Sequence, residues 1–143
     1  MQVFPMYPEE IVAPMREELT SIGVRELRTV EEVDQVFKHH KGTTLLIINS
    51  VCGCAAGSAR PAVRMALENE HRPDECVTVF AGVDLEATER ARAYIKHYPP
   101  SSPSMALFKD GEVVAMLQRH NIEGRMPEQI AQDLIAMFNK FCQ

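Results

Sequence analysis

Residues 44–63 read TLLIINSVCGCAAGSARPAV. The opening TLLIIN is a near-continuous apolar run of β-preferring residues, the pattern of a central strand covered on both faces. Cys52 and Cys54 follow at once with only Gly53 between them, and residues 55–70 then read as a helix kinked by Pro61. A buried strand that runs into a helix through two thiols sets both the architecture and the chemistry to be expected.

Working outward, CVTVFAGV (76–83) reads as a second buried strand. Asp84 is placed to cap a helix over 85–97 whose inner stripe is Leu85, Thr88, Ala91 and Ile95. Asp110-Gly111 lies between two apolar segments, the strongest short hairpin signal. A last helix starts at Pro127 and packs through Ile130, Leu134, Met137, Phe138 and Phe141. Before the central strand, residues 8–22 read as an amphipathic helix with Ile11, Met15, Leu19 and Ile22 inward, Pro8 in its first turn, Pro14 inside it and Gly23 at its stop. Thr29 and Glu32 form a capping box for a second helix marked by Val30, Val33, Val36 and Phe37, and Gly42 ends that segment. The order is helix, helix, strand, helix, strand, helix, hairpin, helix, as in a three-layer α/β domain with a mixed sheet.

The 143 residues fit one domain, 1–143, with a core that needs no disulfide staples. A net charge of −5 gives no reason to expect nucleic acid or an anionic membrane as partner. No apolar run approaches the roughly 20 residues of a membrane span. The start MQVFPMYPEEIVAP lacks the basic-then-apolar order of a secretory signal, so the expected location is the cytoplasm. In that compartment thiols are kept reduced, and a close pair reads as catalytic, redox-sensing or metal-binding.

At the start of a helix, unpaired backbone N–H groups and the helix dipole favour a negative charge and lower cysteine pKa values. The thiolate is the attacking species in thiol–disulfide exchange, so Cys52, nearer the loop, is the candidate nucleophile and Cys54 its partner. Disulfide geometry needs Cα atoms about 4.4–6.8 Å apart, and residues i and i+2 of an extended chain lie near the upper end of that range. A closed Cys52–Cys54 bond therefore needs a turn-like backbone, which Gly53 permits, and is expected to be strained and easily reduced. Two other readings stay open: a pair of inert buried thiols, or tetrahedral zinc held by Cys52, Cys54, Cys76 and one of His39, His40 or His71. No metal site is assigned, because structural zinc usually separates paired cysteines by about two to four residues.

Three features resemble the thioredoxin fold: the cysteine pair between strand and helix, VTVFAGVDLEATERARAYI (77–95), and SPSMALFKDGEVV (102–114). By that resemblance Pro103 is the cis-proline, and Ser102–Pro103 lies against the cysteines as a substrate-binding edge. The chain departs from thioredoxins in lacking tryptophan, with Val51 before the first cysteine, and in carrying Leu46 where they bury an acid. MYPEEIVAPMREELTSIGVREL, NSVCGCAAGSARPA and HYPPSSPSMALFKDGE together resemble the bacilliredoxins over nearly the whole chain. That resemblance implies a thioredoxin-like domain with a central mixed sheet and extra N-terminal helices, and no bound cofactor. It implies bacillithiol as co-substrate, and S-bacillithiolated proteins and a low-molecular-weight thiol as partners. Cys52 would attack the bacillithiol sulfur, and Cys54 or a second bacillithiol would release it. Members have also been viewed as disulfide isomerases, which is the alternative activity.

Among the other residues, Asn49 and Ser50 lead into the site and are candidates to hydrogen-bond the thiolate or the sugar-thiol. Arg60 and Arg64 are placed to meet a malate carboxylate of bacillithiol, although a solvated helix face explains them more simply. His97 and Tyr98 are candidates to line the site. Cys76 reads as a core residue, and Cys142, one residue from the end, as a mobile thiol.

Overall fold

A computed structural model describes residues 7–38 and 41–143 of the chain. The central run forms strand β2 (Thr43–Asn49), buried at every position. It pairs in parallel with β3 (Glu75–Phe80), which pairs in parallel with a two-residue strand β1 (Arg25–Glu26). On its other side β2 pairs antiparallel with β4 (Ser104–Lys109), and β4 with β5 (Glu112–Leu117), giving the sheet order β1-β3-β2-β4-β5. The hairpin turns at Asp110-Gly111 with φ of 51° and 86°, the left-handed pair that a two-residue turn of this hand requires. The short β1 carries no hydrophobic run, so nothing in the sequence pattern marks it as a strand.

Alternation along β2 divides the core. Leu45 and Ile47 point into one cluster with Met105, Leu107, Ala62, Val63, Ile130, Leu134 and Phe138. That layer is closed by α3 (Arg60–Ala66) and α5 (Pro127–Phe141). Leu46 and Ile48 point the other way, onto Val33, Phe37, Val77, Val79, Ala87 and Ala91. There α2 (Val30–Phe37) and α4 (Leu85–Ala93) cover the sheet. Leu46, in the position where thioredoxins bury an acid, is thus ordinary core. The mixed sheet with a helical layer on each face is the expected three-layer α/β domain.

Local departures have physical reasons. In α1 (Glu9–Thr20) the inward residues are Val12, Arg16 and Leu19, and Ile11 is 51% exposed. Leu19 is inward as expected and Met15 and Ile22 are partly buried, while the inner face widens to take in Arg16, which pairs with Asp84 2.7 Å away and with Glu26 at 3.1 Å. Asp84 is the N-cap residue of α4 but makes no cap hydrogen bond, since its carboxylate is committed to Arg16. Glu32 completes only part of the capping box: its backbone N–H donates to Thr29, while its carboxylate accepts from the N–H of Arg28. The helix expected over 55–70 is a π-helical turn, Ala55–Ala59, running into α3 and ending at Ala66. Likewise α4 stops at Ala93 rather than 97. Cys142, expected as a mobile thiol, is half-buried against the α3–α5 core and hydrogen-bonded to the Thr43 side chain. Cys76 packs on the same cluster, and burial pushes its thiol up to about 12.

Candidate active site

The two cysteines of the central motif emerge where β2 ends. Val51 turns its side chain into a small cluster with Val12, Phe80 and Val83 beneath α1, anchoring the loop in the position where thioredoxins carry tryptophan. Cys52 then begins the helix: its carbonyl accepts from the N–H groups of Ala55 at 3.1 Å and Ala56 at 3.2 Å. The π turn follows directly, a distortion that is frequent at functional sites. Gly53 lies in this first turn, exposed, with open space where a Cβ would stand, so the turn does not depend on glycine's wider conformational range.

Ser50 Oγ lies 3.1 Å from Cys52 Sγ, in position to donate to the thiolate. Asn49 touches neither sulfur. Its Oδ1 accepts from the Ser50 N–H and from Arg60 Nη1, both at 2.9 Å, so it shapes the loop from below. Arg60 is 2% exposed and also donates to the Ser50 carbonyl at 2.8 Å and to Glu18 at 3.1 Å. It is neither a solvated helix residue nor free to meet a ligand. Arg64 is exposed on α3, and His97 and Tyr98 do not line the cleft at the sulfurs.

Arg119, which no motif in the sequence singles out, reaches both thiols. Nη1 lies 3.7 Å from Cys52 Sγ and Nη2 3.7 Å from Cys54 Sγ. Nη1 also donates to the Ser102 carbonyl at 2.8 Å, and Nε pairs with Glu123 at 3.4 Å. The Ser102–Pro103 bond is cis, as the resemblance implied, and Pro103 is buried.

These contacts separate the two thiols. Burial opposes ionisation of Cys52, but the Ser50 hydroxyl, the N–H groups of Ala55 and Cys54 and the Arg119 charge outweigh it, and the pKa is lowered. For Cys54, burial and then the Cys52 charge raise the pKa, and Arg119 only partly opposes them. The arrangement can hold a thiolate at Cys52 with a protonated thiol beside it.

The zinc ligand set is not brought together. Cys76 pairs with Leu45 near the start of β2, about 13 Å of strand from the end that leads to Cys52. No cluster of three or more metal-ligating side chains occurs among the described residues, and His39 and His40 lie outside them. Nor, among those residues, is any helix long and apolar enough to cross a membrane.

Comparison with known proteins agrees with this geometry. Among solved structures, mitochondrial thioredoxin 3 from Saccharomyces cerevisiae in its oxidised form superposes with a TM-score of 0.59 at 13% identity, covering 86% of this chain and 98% of that one. A putative oxidoreductase with a thioredoxin fold gives 0.56 at 17% identity, covering 80% and 95%. Both show the thioredoxin fold. A bacilliredoxin of Salinibacter ruber is 56% identical over 95% of this chain and 81% of its own length. One from Geobacillus kaustophilus is 54% identical over 98% and 95%. The Disulphide isomerase family profile matches residues 7–142. With two thiols set apart in acidity on a thioredoxin fold, the chain belongs to the bacilliredoxin family of thiol–disulfide oxidoreductases.

Proposed function

We propose that the protein removes bacillithiol from S-bacillithiolated proteins in the cytoplasm, with Cys52 as nucleophile. The observation that carries this reading is the arginine fork across both sulfurs, with Ser50 on Cys52 alone. The bacilliredoxin names of relatives more than half identical support the choice of small thiol.

In the first step the Cys52 thiolate attacks the bacillithiol sulfur of the mixed disulfide. The client–bacillithiol S–S bond breaks, the client cysteine leaves as a thiolate and takes a proton from water, and a Cys52–bacillithiol disulfide forms. In the second step Cys54, once deprotonated, attacks Cys52 Sγ, expels bacillithiol thiolate and leaves a Cys52–Cys54 disulfide. That disulfide needs two electrons from an external thiol reductant. Alternatively a second bacillithiol thiolate attacks the bound bacillithiol sulfur, giving bacillithiol disulfide and a free Cys52. Exchange between sulfurs favours an attacking thiol whose pKa lies near the ambient pH and a leaving thiolate that is stabilised, and Arg119 can serve whichever of the two cysteines is negative. Ser102 and Pro103 provide the backbone edge against which a client segment would lie.

The test is mass spectrometry of the reduced protein after mixing with a bacillithiolated client. Cys54→Ala is expected to free the client and to accumulate a bacillithiol adduct on Cys52. Reduction or reshuffling of protein disulfides without any such adduct would instead establish the alternative, a disulfide isomerase or reductase.

A second prediction concerns acidity. Removing the charge in Arg119→Gln raises the Cys52 pKa, so the iodoacetamide profile of Cys52 moves to higher pH. At neutral pH the alkylation rate is expected to fall by up to about fivefold, the scale of an exposed charge pair. Arg119→Lys should recover part of the loss. An unmoved profile in the glutamine variant would show that the Arg119 charge does not acidify Cys52.

A further inference from the structure

A cleft of about 320 Å³ opens beside Cys52, at the small end of the range of ligand pockets. Its walls include Tyr7 ahead of α1, Ala81 and Gly82 from the loop after β3, Ser102 ahead of β4, and two guanidinium groups, Arg92 from the last turn of α4 and Arg119. No carboxylate among the described residues lines it.

Arg92 is the anomaly of the molecule. Its Nε is shielded from solvent and has no hydrogen-bond partner among the described residues, and Nη2 makes one long bond, 3.5 Å, to the Ser101 carbonyl. Burial lowers its pKa and no neighbouring charge offsets that cost. Arg16, Arg60, Arg90 and Arg125 each have a carboxylate within 3.1 Å, whereas no ion pair to Arg92 forms among the described residues. A half-buried cation costs stability unless something pairs with it. Packing does not require the charge, because an uncharged chain of similar length would fill the same space.

We propose that Arg92, with Arg119, forms an anion subsite that receives a carboxylate of the small thiol whose sulfur is passed to Cys52. This inference rests on the reading of Cys52 as acceptor of a small-thiol adduct and adds how that thiol is recognised. A planar guanidinium fork matches a carboxylate in two parallel hydrogen bonds. An adduct tethered through its sulfur at Cys52 would extend its acidic end along the cleft to Arg92. The malate carboxylates of bacillithiol meet this requirement, as do those of glutathione. The cleft is small for a thiol that carries a nucleotide, such as coenzyme A.

One reporter protein would be loaded in turn with bacillithiol, glutathione, coenzyme A and uncharged 2-mercaptoethanol, and release would be followed for wild type, Arg92→Gln and Arg92→Lys. In the glutamine variant KM is expected to rise about tenfold for a carboxylate-bearing adduct and to stay unchanged for 2-mercaptoethanol. Arg92→Lys should fall between. Wild type alone should show a lower KM for the anionic adduct than for the neutral one at low salt, and the two should converge at high salt. That arm needs no variant to fold. Equal loss on all four adducts, or equal wild-type KM for anionic and neutral adducts, overturns the subsite. The largest Arg92 dependence on coenzyme A overturns the carboxylate in favour of phosphate. An Arg92-dependent preference for glutathione with no action on bacillithiol upholds the subsite and overturns the bacillithiol reading.

Discussion

Cys52→Ser is expected to slow release of bacillithiol from a client protein by at least about a thousandfold, to the rate without protein. Serine keeps the shape of the site and the donors around it, namely Ser50, the Ala55 and Cys54 N–H groups and Arg119. It cannot form the S–S bond that carries the bacillithiol away, and its hydroxyl is far too weak an acid for these donors to ionise. Cys54→Ser stands as the control, because the first attack uses no atom of Cys54. The check is a time course of client and protein masses under identical thiol concentrations. If Cys54→Ser lost the first step while Cys52→Ser kept it, the assignment of the two sulfurs would be reversed.

The frame of this fold is written in local patterns. The apolar TLLIIN and CVTVF segments have the composition of strands buried on both faces, and β2 is buried throughout and β3 from Val77 to Phe80. Asp110-Gly111 specifies its turn by backbone requirement alone. The placement of two sulfurs at the end of β2 was legible for the same reason. What surrounds the sulfurs was not, because it is assembled from residues far apart in the chain.

Arg60 shows one cause. At α-helical spacing it stands about 140° around the axis from buried Ala55, on a face that reads as solvated. The π turn closes Arg60 N–H onto the Ala55 carbonyl and swings the side chain beneath the Asn49–Ser50 loop. No propensity in AAGSARPA announces that turn, although Pro61, which lacks an N–H to give the preceding turn, is compatible with it. Arg119 shows another. The hairpin register pairs Met105 with Leu117, where the ladder ends, and carried two residues further it would point Arg119 toward Pro103. An irregularity at Leu107/Phe108 shifts that register by one, so the turn alone would have aimed the neighbouring residue at the cysteines.

The buried and half-buried arginines also divide by purpose. Arg60 is satisfied by Glu18, Asn49 and Ser50, and Arg16 by three carboxylates. Both are therefore structural cations whose charge is spent inside the chain. Arg119 spends part of its charge on Glu123 and part on sulfur. Arg92 spends almost none, and it lines the cleft next to the nucleophile. Across these side chains, positive charge left unpaired by the chain is concentrated where an anionic thiol would have to lie.

The Arg16 network supplies the second large effect, on stability. Arg16→Met is expected to cost about 3 kcal/mol, because it takes from a buried carboxylate its nearest cation. Asp84 is the partner that suffers: its side chain is 8% exposed, against 49% for Glu9, which can return to water, and its remaining cation, Arg28, stands 3.5 Å away and is itself half-exposed. Glu26, at 18%, lies between. Methionine keeps most of the packing over Phe80 and loses the guanidinium that sits 5.3 Å from its ring. Urea unfolding at neutral pH gives the loss directly. Adding Asp84→Asn to Arg16→Met should then recover stability, since the stranded charge is gone, whereas Asp84→Asn alone should destabilise. Iodoacetamide reactivity of Cys52 in the folded single variant should stay near wild type, as none of its four donors belongs to this network. A loss below about 1 kcal/mol would mean that Asp84 reaches solvent when Arg16 is removed, as an exposed pair would. A full loss with altered Cys52 reactivity would mean instead that α1, held down through Arg16, also holds the cysteine loop in place through Val12 and Val51.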